Sequence, residues 1–312
     1  MYIIASSLIS HQETFRNKGY SSHINAKSRS DVLVHPDYKD WIPVIKRRRM
    51  SDAIKMSITC TLDCMEQIAI DELDGIIIGI SMGSSMHTKN FLNKIHGSND
   101  FVISPSSFIT STHNTIAGQI SLFLKNNNYN NTHTHNSLSF EHALMDMSLL
   151  LNEGCENVLV GGVDESENEL FELGKYLGIN DYPRGAGAGL FVCSSESNGL
   201  NSIKLRDINC ICFIEDISKG IISFLDKNNF RPNDIDVVLY SSISIDAETI
   251  INSLFSTEKC LDYLSLAGYY FTSSSFALGF GKDLIENKKA RNVLICNNMN
   301  PSNLGLILLE SE

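Results

Sequence analysis

Residues 130–165, NNTHTHNSLSFEHALMDMSLLLNEGCENVLVGGVDES, constrain the fold more than any other stretch. They read as strand, sharp turn, buried helix, strand. Thr132 to Asn136 suits a short strand. Phe140, Ala143, Leu144, Met147 and Leu151 recur at steps of three and four, which is one apolar face of a helix. Leu149 and Leu150 widen that face, so the helix is predicted to be buried on most sides. Gly154 stops it. Val158, Leu159 and Val160 then form the apolar run of a central strand ending at Gly161-Gly162. A turn feeding a buried helix is a common seat for a nucleophile. Free N–H groups and partial positive charge at the helix N-terminus lower a thiol pKa and stabilise an anion. The nearest cysteine, Cys155, lies beyond the far end of this helix.

The rest of the chain alternates in the same way. Strands are expected at Tyr2 to Leu8, Ile76 to Ile80, Leu190 to Cys193, Ile235 to Tyr240, Val293 to Cys296 and Leu304 to Leu309. Helices are expected from Ser51, a fair N-cap, into the seventies, and at Thr88 to Ile95, Ile214 to Asn228, Ala247 to Phe255 and within Phe271 to Asn287. Phe171 to Leu177 reads as a short helical or loop piece. Small residues at Ala117 and Gly118 predict close approach of a helix to another backbone. The pattern is α/β with largely parallel pairing. Residues 195–203, rich in Ser, Asn and Gly, suit a junction between two halves.

Composition narrows the function. A net charge of -11 argues against a general nucleic-acid binder. No apolar run approaches the roughly 20 residues that span a membrane, and the N-terminus lacks a basic leader, so a cytoplasmic protein without membrane insertion is expected. Eight cysteines without a CxxC pair fit a reduced compartment. Cys60 and Cys64, four apart on a helix, read as small buried residues.

Four stretches, in order, resemble the β-ketoacyl synthases of the thiolase superfamily. They are RRRMSDAIKMSI, SFITSTHNTIAGQIS (through Asn114, Ile116, Ala117, Gly118 and Gln119), NVLVGGVDE and GAGAGLFVCSSE. For Gly185 to Gly189 in the last of these, tight backbone packing is favoured over a phosphate loop. The resemblance implies a thiolase-like α/β fold of two pseudo-repeated halves in a layered αβαβα arrangement. Residues 1–194 would form the N-terminal half and residues 195–312 a shortened C-terminal half. It also implies where the family's Cys-His-His trio should stand. The cysteine slot falls at Ser137, or Asn136 with a turn one residue different. In RPNDIDVVLYSSIS the first histidine falls at Ser241, and in YLSLAGYYFTSSSFALGFG the second falls at Tyr269. All nine histidines lie at or before His142, so the C-terminal half has no imidazole to stabilise a thioester oxyanion.

The chain is therefore expected to be a non-catalytic homologue. It resembles the chain-length-factor-like subunits of aryl-polyene and flexirubin-type pathways, partners of an active β-ketoacyl synthase in elongation on an acyl carrier protein. No cofactor is implied. Phe108, Thr112, His113, Asn114, His133, His135 and Phe140 are candidates for the subunit interface or acyl tunnel. Lys46, Arg47, Arg48 and Arg49, placed at a helix N-terminus against its dipole, are candidates for docking the acidic carrier by electrostatic steering.

Two other readings compete. Ser137 near His133 or His135 would make a stand-alone acyltransferase or thioesterase, but no acid is apparent to orient the base; a helix N-cap is the simpler role for Ser137. His133 and His135 share a strand face and could reach one metal ion, but zinc needs three or four ligands and no third is evident.

Overall fold

The computed structural model describes residues 1–26, 32–97, 105–165, 183–197, 199 and 202–312. Ten strands lie in one sheet in the order β3-β2-β4-β5-β1-β6-β10-β9-β7-β8. The first five are β1 (Tyr2–Ile9), β2 (Gly75–Gly79), β3 (Tyr129–His133), β4 (Val158–Asp164) and β5 (Gly187–Ser194). The second five are β6 (Ile203–Cys212), β7 (Val237–Ser242), β8 (Cys260–Asp262), β9 (Asn292–Asn298) and β10 (Asn303–Glu310). Read outward from the β1–β6 junction, each set follows one pattern: first, fifth, fourth, second, third. The two halves share a topology without sharing a sequence.

Before the sequence reaches the nucleophile-type turn it forms α1 (Val44–Arg47), α2 (Asp52–Ile68), α3 (Ser85–Gly97), α4 (Pro105–Thr110) and α5 (Thr115–Leu124). After it come α6 (Ser139–Asn152), α7 (Ile217–Lys227), α8 (Ile245–Phe255), α9 (Leu264–Ala267) and α10 (Ser274–Glu286). Helices α6 and α10 touch strands of both halves. Helices α2 and α5 cover the outer face of the first half, and α7 and α8 that of the second. Three apolar cores result, one between the halves and one under each outer layer. This is the αβαβα layering expected.

Pairing is mixed rather than largely parallel. Of nine strand pairings among the described residues, β2–β3, β2–β4, β7–β8 and β7–β9 are parallel and five are antiparallel. Residues 299–302 join β9 to β10, and so short a link permits only an antiparallel neighbour. β3 begins at Tyr129, earlier than its expected start. Tyr129, Asn130 and Asn131, which have weak strand character, are recruited by pairing with β2. Helix α2 ends at Ile68, where Ala69 turns left-handed at φ 53°; Ser51 caps its start by accepting the Ile54 N–H. β6 has no counterpart among the expected strands, although Ile203-Lys204-Leu205-Arg206 alternates as a half-buried strand should. Phe171 to Leu177 lies outside the described residues.

Two glycines position α6. A Cβ on Gly79 would lie 2.5 Å from the Ser139 carbonyl oxygen and 2.7 Å from Phe140 Cα. A Cβ on Gly305 would lie 2.9 Å from both Glu141 Cγ and Leu138 Cδ2. The first turn of α6 is thus pressed between one sheet half and the other. Gly118 behaves differently: a Cβ there meets nothing within 4 Å, so only buried Ala117 serves close packing.

Gly79→Ala is expected to cost roughly 2–3 kcal/mol by overpacking against backbone that cannot yield. Gly118→Ala, in the open on α5, is expected to gain about 0.5–1 kcal/mol. Urea unfolding of both variants beside wild type checks the pair.

Candidate functional site

β3 ends at His133, and the chain then turns sharply. Asn136 is exposed and takes φ 52°, a left-handed conformation that Asn tolerates. A single 3-10 turn, Asn136–Leu138, leads into α6. Ser137 points inward, 2% exposed, and its Oγ has no hydrogen-bond partner among the described residues. It is not a helix cap. Ser139 ties the turn instead: its hydroxyl accepts the His135 N–H at 2.8 Å and donates to the Asn136 carbonyl at 2.7 Å.

The second half meets this turn through Asn297 on β9. Its Nδ2 donates to the Ser137 carbonyl and to Glu141 Oε1, both at 2.7 Å. Its Oδ1 accepts from Ser241 Oγ at 3.2 Å, and Ser241 Oγ lies 2.7 Å from the Tyr263 hydroxyl. Ser137, Glu141, Ser241, Tyr263 and Asn297 are all buried. Burial pushes the Glu141 carboxyl up to about 7, against the downward pull of the Asn297 amide. Burial likewise raises the Tyr263 phenol well above its ordinary value. The network joins hydroxyls, an amide and one carboxyl, with no imidazole or thiol in it among the described residues.

The structure therefore brings Ser137 and Ser241 together, bridged by Asn297. The Tyr269 side chain makes no hydrogen bond to this network among the described residues. The residue's N–H donates to the Pro183 carbonyl at 2.7 Å, its carbonyl accepts the Gly185 N–H at 2.9 Å, and its ring packs edge-on to Phe271. Glu141, Tyr263 and Asn297 escaped sequence reading. Asn297 is 156 residues from Glu141, and a lone Glu on an amphipathic helix ordinarily faces solvent.

Asp164 and Glu165, just beyond the paired glycines, organise the rim. Asp164 accepts the Ser81 N–H at 3.1 Å and the Thr272 N–H at 2.9 Å, one from each half, while burial pushes it up to about 6. Glu165 accepts the Ala53 and Met86 N–H groups at 3.2 Å, which places one carboxylate at the N-termini of both α2 and α3.

The histidines lie on the outer side of the turn. His133 Nε2 is 2.8 Å from Asp146 Oδ2, and Tyr129 and Asn131 also donate to Asp146. The His135 and His142 rings stack with centroids 4.0 Å apart. Burial first, then neighbouring His135 and His133, pushes His142 down to about 4; burial also lowers His135. The rings stack rather than converge, and among the described residues no three His, Cys, Asp or Glu side chains are arranged to hold a metal ion.

Of the other candidates, Phe108 is exposed on α4 and packs near the Phe91 ring. Thr112 Oγ1 donates to Asn114 Oδ1 at 2.8 Å, and His113 lies over Gly83. Phe140 is fully buried against Phe191 in the core between the halves. The basic run differs from expectation: Lys46 and Arg47 close α1, and Arg48 and Arg49 form the turn before α2, whose first turn carries Asp52. Basic residues thus stand at a helix C-terminus, where the dipole favours them. Arg47, Arg48 and Lys55 line a groove of about 510 Å³ with Tyr38 and Val44, and Lys46 sits 4.5 Å over the Phe123 ring. No helix among the described residues is long and apolar enough to cross a membrane.

Two halves of one topology, layered αβαβα, with a turn and buried helix where a nucleophile would sit, define the thiolase-like class. Residues 24–187, more than half of the chain, match the β-ketoacyl synthase N-terminal domain. The chain belongs to the β-ketoacyl synthase family of the thiolase superfamily. The ishigamide ketosynthase/chain length factor is similar in structure, with a TM-score of 0.81 at 15% identity over 99% of each chain. A β-ketoacyl synthase from Burkholderia phymatum STM815 gives 0.76 at 13% identity, over 100% of this chain and 99% of that one. The ketosynthase ApeO in complex with its chain length factor ApeC, from Xenorhabdus doucetiae, gives 0.52 at 18%, over 68% of this chain and 83% of that one. No curated protein sequence matches this chain.

A carboxyl held neutral by the fold loses stability as it ionises. The folded value of Glu141 is raised, so its stabilising contribution is full below about pH 4.5 and is lost as pH rises through about 7. Glu141→Gln, which keeps an acceptor for Asn297, should gain roughly 2–3 kcal/mol relative to wild type between pH 5 and pH 8. Chemical denaturation of both proteins at the two pH values tests this.

Proposed function

We propose that this chain is a non-catalytic, chain-length-factor-like member of its family. It would pair with an active β-ketoacyl synthase and shape acyl elongation on an acyl carrier protein, in a polyene-type pathway such as the aryl-polyene or flexirubin class. The observation that carries this reading is that none of the three Cys-His-His slots, Ser137, Ser241 and Tyr269, holds a thiol or an imidazole. Among the described residues the Ser137 hydroxyl has no hydrogen-bonding base, Ser241 is spent on Tyr263 and Asn297, and the Tyr269 backbone is bonded to Pro183 and Gly185. Acyl transfer needs a nucleophile in reach of a base and donors aimed at an oxyanion. A stand-alone Ser137 acyltransferase or thioesterase lacks support for the same reason.

Pairing is supported by the sheet's open end. β3 is an edge strand, and Tyr129, Met145 and Leu149 beside it are exposed, as are Phe108 and Ile109 on α4. The groove lined by Arg47, Arg48 and Lys55 suits an acidic carrier. Similar solved structures include a ketosynthase with its chain length factor and an acyl-carrier protein in complex with its ketosynthase.

Native mass spectrometry of this chain, alone and co-expressed with a cysteine-bearing ketosynthase from the same organism, should give a one-to-one heterodimer in the second case. Acyl loading should be confined to the cysteine-bearing partner and unchanged by Ser137→Ala. A stable homodimer that takes up acyl groups at Ser137 would overturn the reading. Arg47→Glu with Arg48→Glu should slow carrier association about tenfold at low salt, with the difference shrinking at high salt. Stopped-flow fluorescence with labelled carrier protein measures it.

A further inference from the structure

Three imidazoles form a column on the outer side of the turn that leads into α6. His133 closes β3, His135 follows two residues on, and His142 lies in the first turn of α6. The His135 and His142 rings stack with centroids 4.0 Å apart, and the His133 ring is 5.8 Å from His135 and 6.5 Å from His142. Steps of three and four place His142, Met145, Asp146 and Leu149 on one face of α6. His135, Met145 and Leu149 are exposed, beside edge strand β3. The column thus stands in the surface proposed for pairing.

One carboxylate serves this column, and it is committed. Asp146 Oδ2 lies 2.8 Å from His133 Nε2 and accepts the Asn131 amide at 2.9 Å, while the Tyr129 hydroxyl reaches both oxygens at 3.1 Å. Among the described residues the ion pair of this cluster is His133 with Asp146, and neither His135 nor His142 forms one. Strand β2 and helix α5, which also pack on β3, carry no titratable side chain. Asp164 of β4 is held by the Ser81 and Thr272 N–H groups. β6, β9, β10 and α10 approach α6 on the side of Glu141, with Cys210 near that carboxyl. Burial first, and then the neighbouring rings, holds His135 and His142 below the ordinary histidine value. A proton on either ring puts an uncompensated cation against the other ring, and a partner seated on this face would bury that cation.

We infer that pairing at this edge requires a neutral His135–His142 stack, so that acid loosens the pair; the inference rests on the pairing proposed above. Because the pair favours the unprotonated rings, affinity is full above the ordinary histidine value of about 6.5. It falls as pH drops below that value, by at most about tenfold per pH unit for each proton taken up. Analytical ultracentrifugation of this chain with a cysteine-bearing ketosynthase from the same organism, at pH 7.5 and pH 5.0 and constant ionic strength, measures it. Kd should be about tenfold weaker at pH 5.0. His135→Gln with His142→Gln should shrink that change to less than about threefold. His135→Lys places a lasting charge at an exposed position and should weaken pairing about tenfold at pH 7.5, with circular dichroism confirming the fold. A wild-type Kd constant to within about threefold, an acid loss undiminished in the double Gln variant, or a His135→Lys chain that pairs like wild type overturns the inference and leaves the pairing reading standing. No pair at pH 7.5 overturns both.

Discussion

The close approach of α6 to two sheet halves sets the geometry of this molecule. Gly79 lets the first turn of the helix lie on β2 with backbone against backbone, and Gly305 lets β10 approach from the opposite side. With both contacts made, the turn before the helix has little freedom. Asn136 is left on the surface with positive φ, and Ser137 is driven inside. The sequence pays for this closeness with two residues that have no side chain, and each sits opposite a part of α6 that cannot retreat.

A turn held so tightly takes its hydrogen-bond partners from within, and the Ser137 hydroxyl is left without one among the described residues. Asn297 supplies most of those partners, offering two N–H groups to the turn and helix and one oxygen to Ser241. The side chains in the network are hydroxyls and an amide, with Glu141 the one carboxyl, pushed up to about 7 by burial. Neutral groups suit a dry interior between two sheet halves, where an unpaired charge would be expensive. The arrangement is a hydrogen-bonded seam that joins β9 of the second half to the turn and α6 of the first.

Much of the architecture was legible in local pattern. The periodicity of α6 and the apolar run of β4 need no distant partner to be recognised, and both lie where the sequence places them. β3 was harder, because Tyr129-Asn130-Asn131 has weak strand character and is extended by pairing with β2. Antiparallel pairing was hidden because alternation of strand and helix says nothing about direction once short links such as 299–302 intervene. The site was legible only in what it lacks. Ser137 and Ser241 could be placed from the order of resembling segments, whereas Glu141, Tyr263 and Asn297 meet through contacts no local window contains. Tyr269 stands where that order puts a histidine, yet its backbone is bound to the 183–185 segment.

The ten-stranded sheet has two ends, and they are unequal. β8, at one end, is three residues long and followed at once by α9. So short a strand makes a poor template for another chain. β3, at the other end, has five residues, polar along its length, with exposed Tyr129, Met145 and Leu149 nearby. An added strand could extend this sheet in one direction. Growth by repeated edge-to-edge stacking needs two usable edges, so the asymmetry favours an assembly that stops at a pair over one that runs on as a fibre.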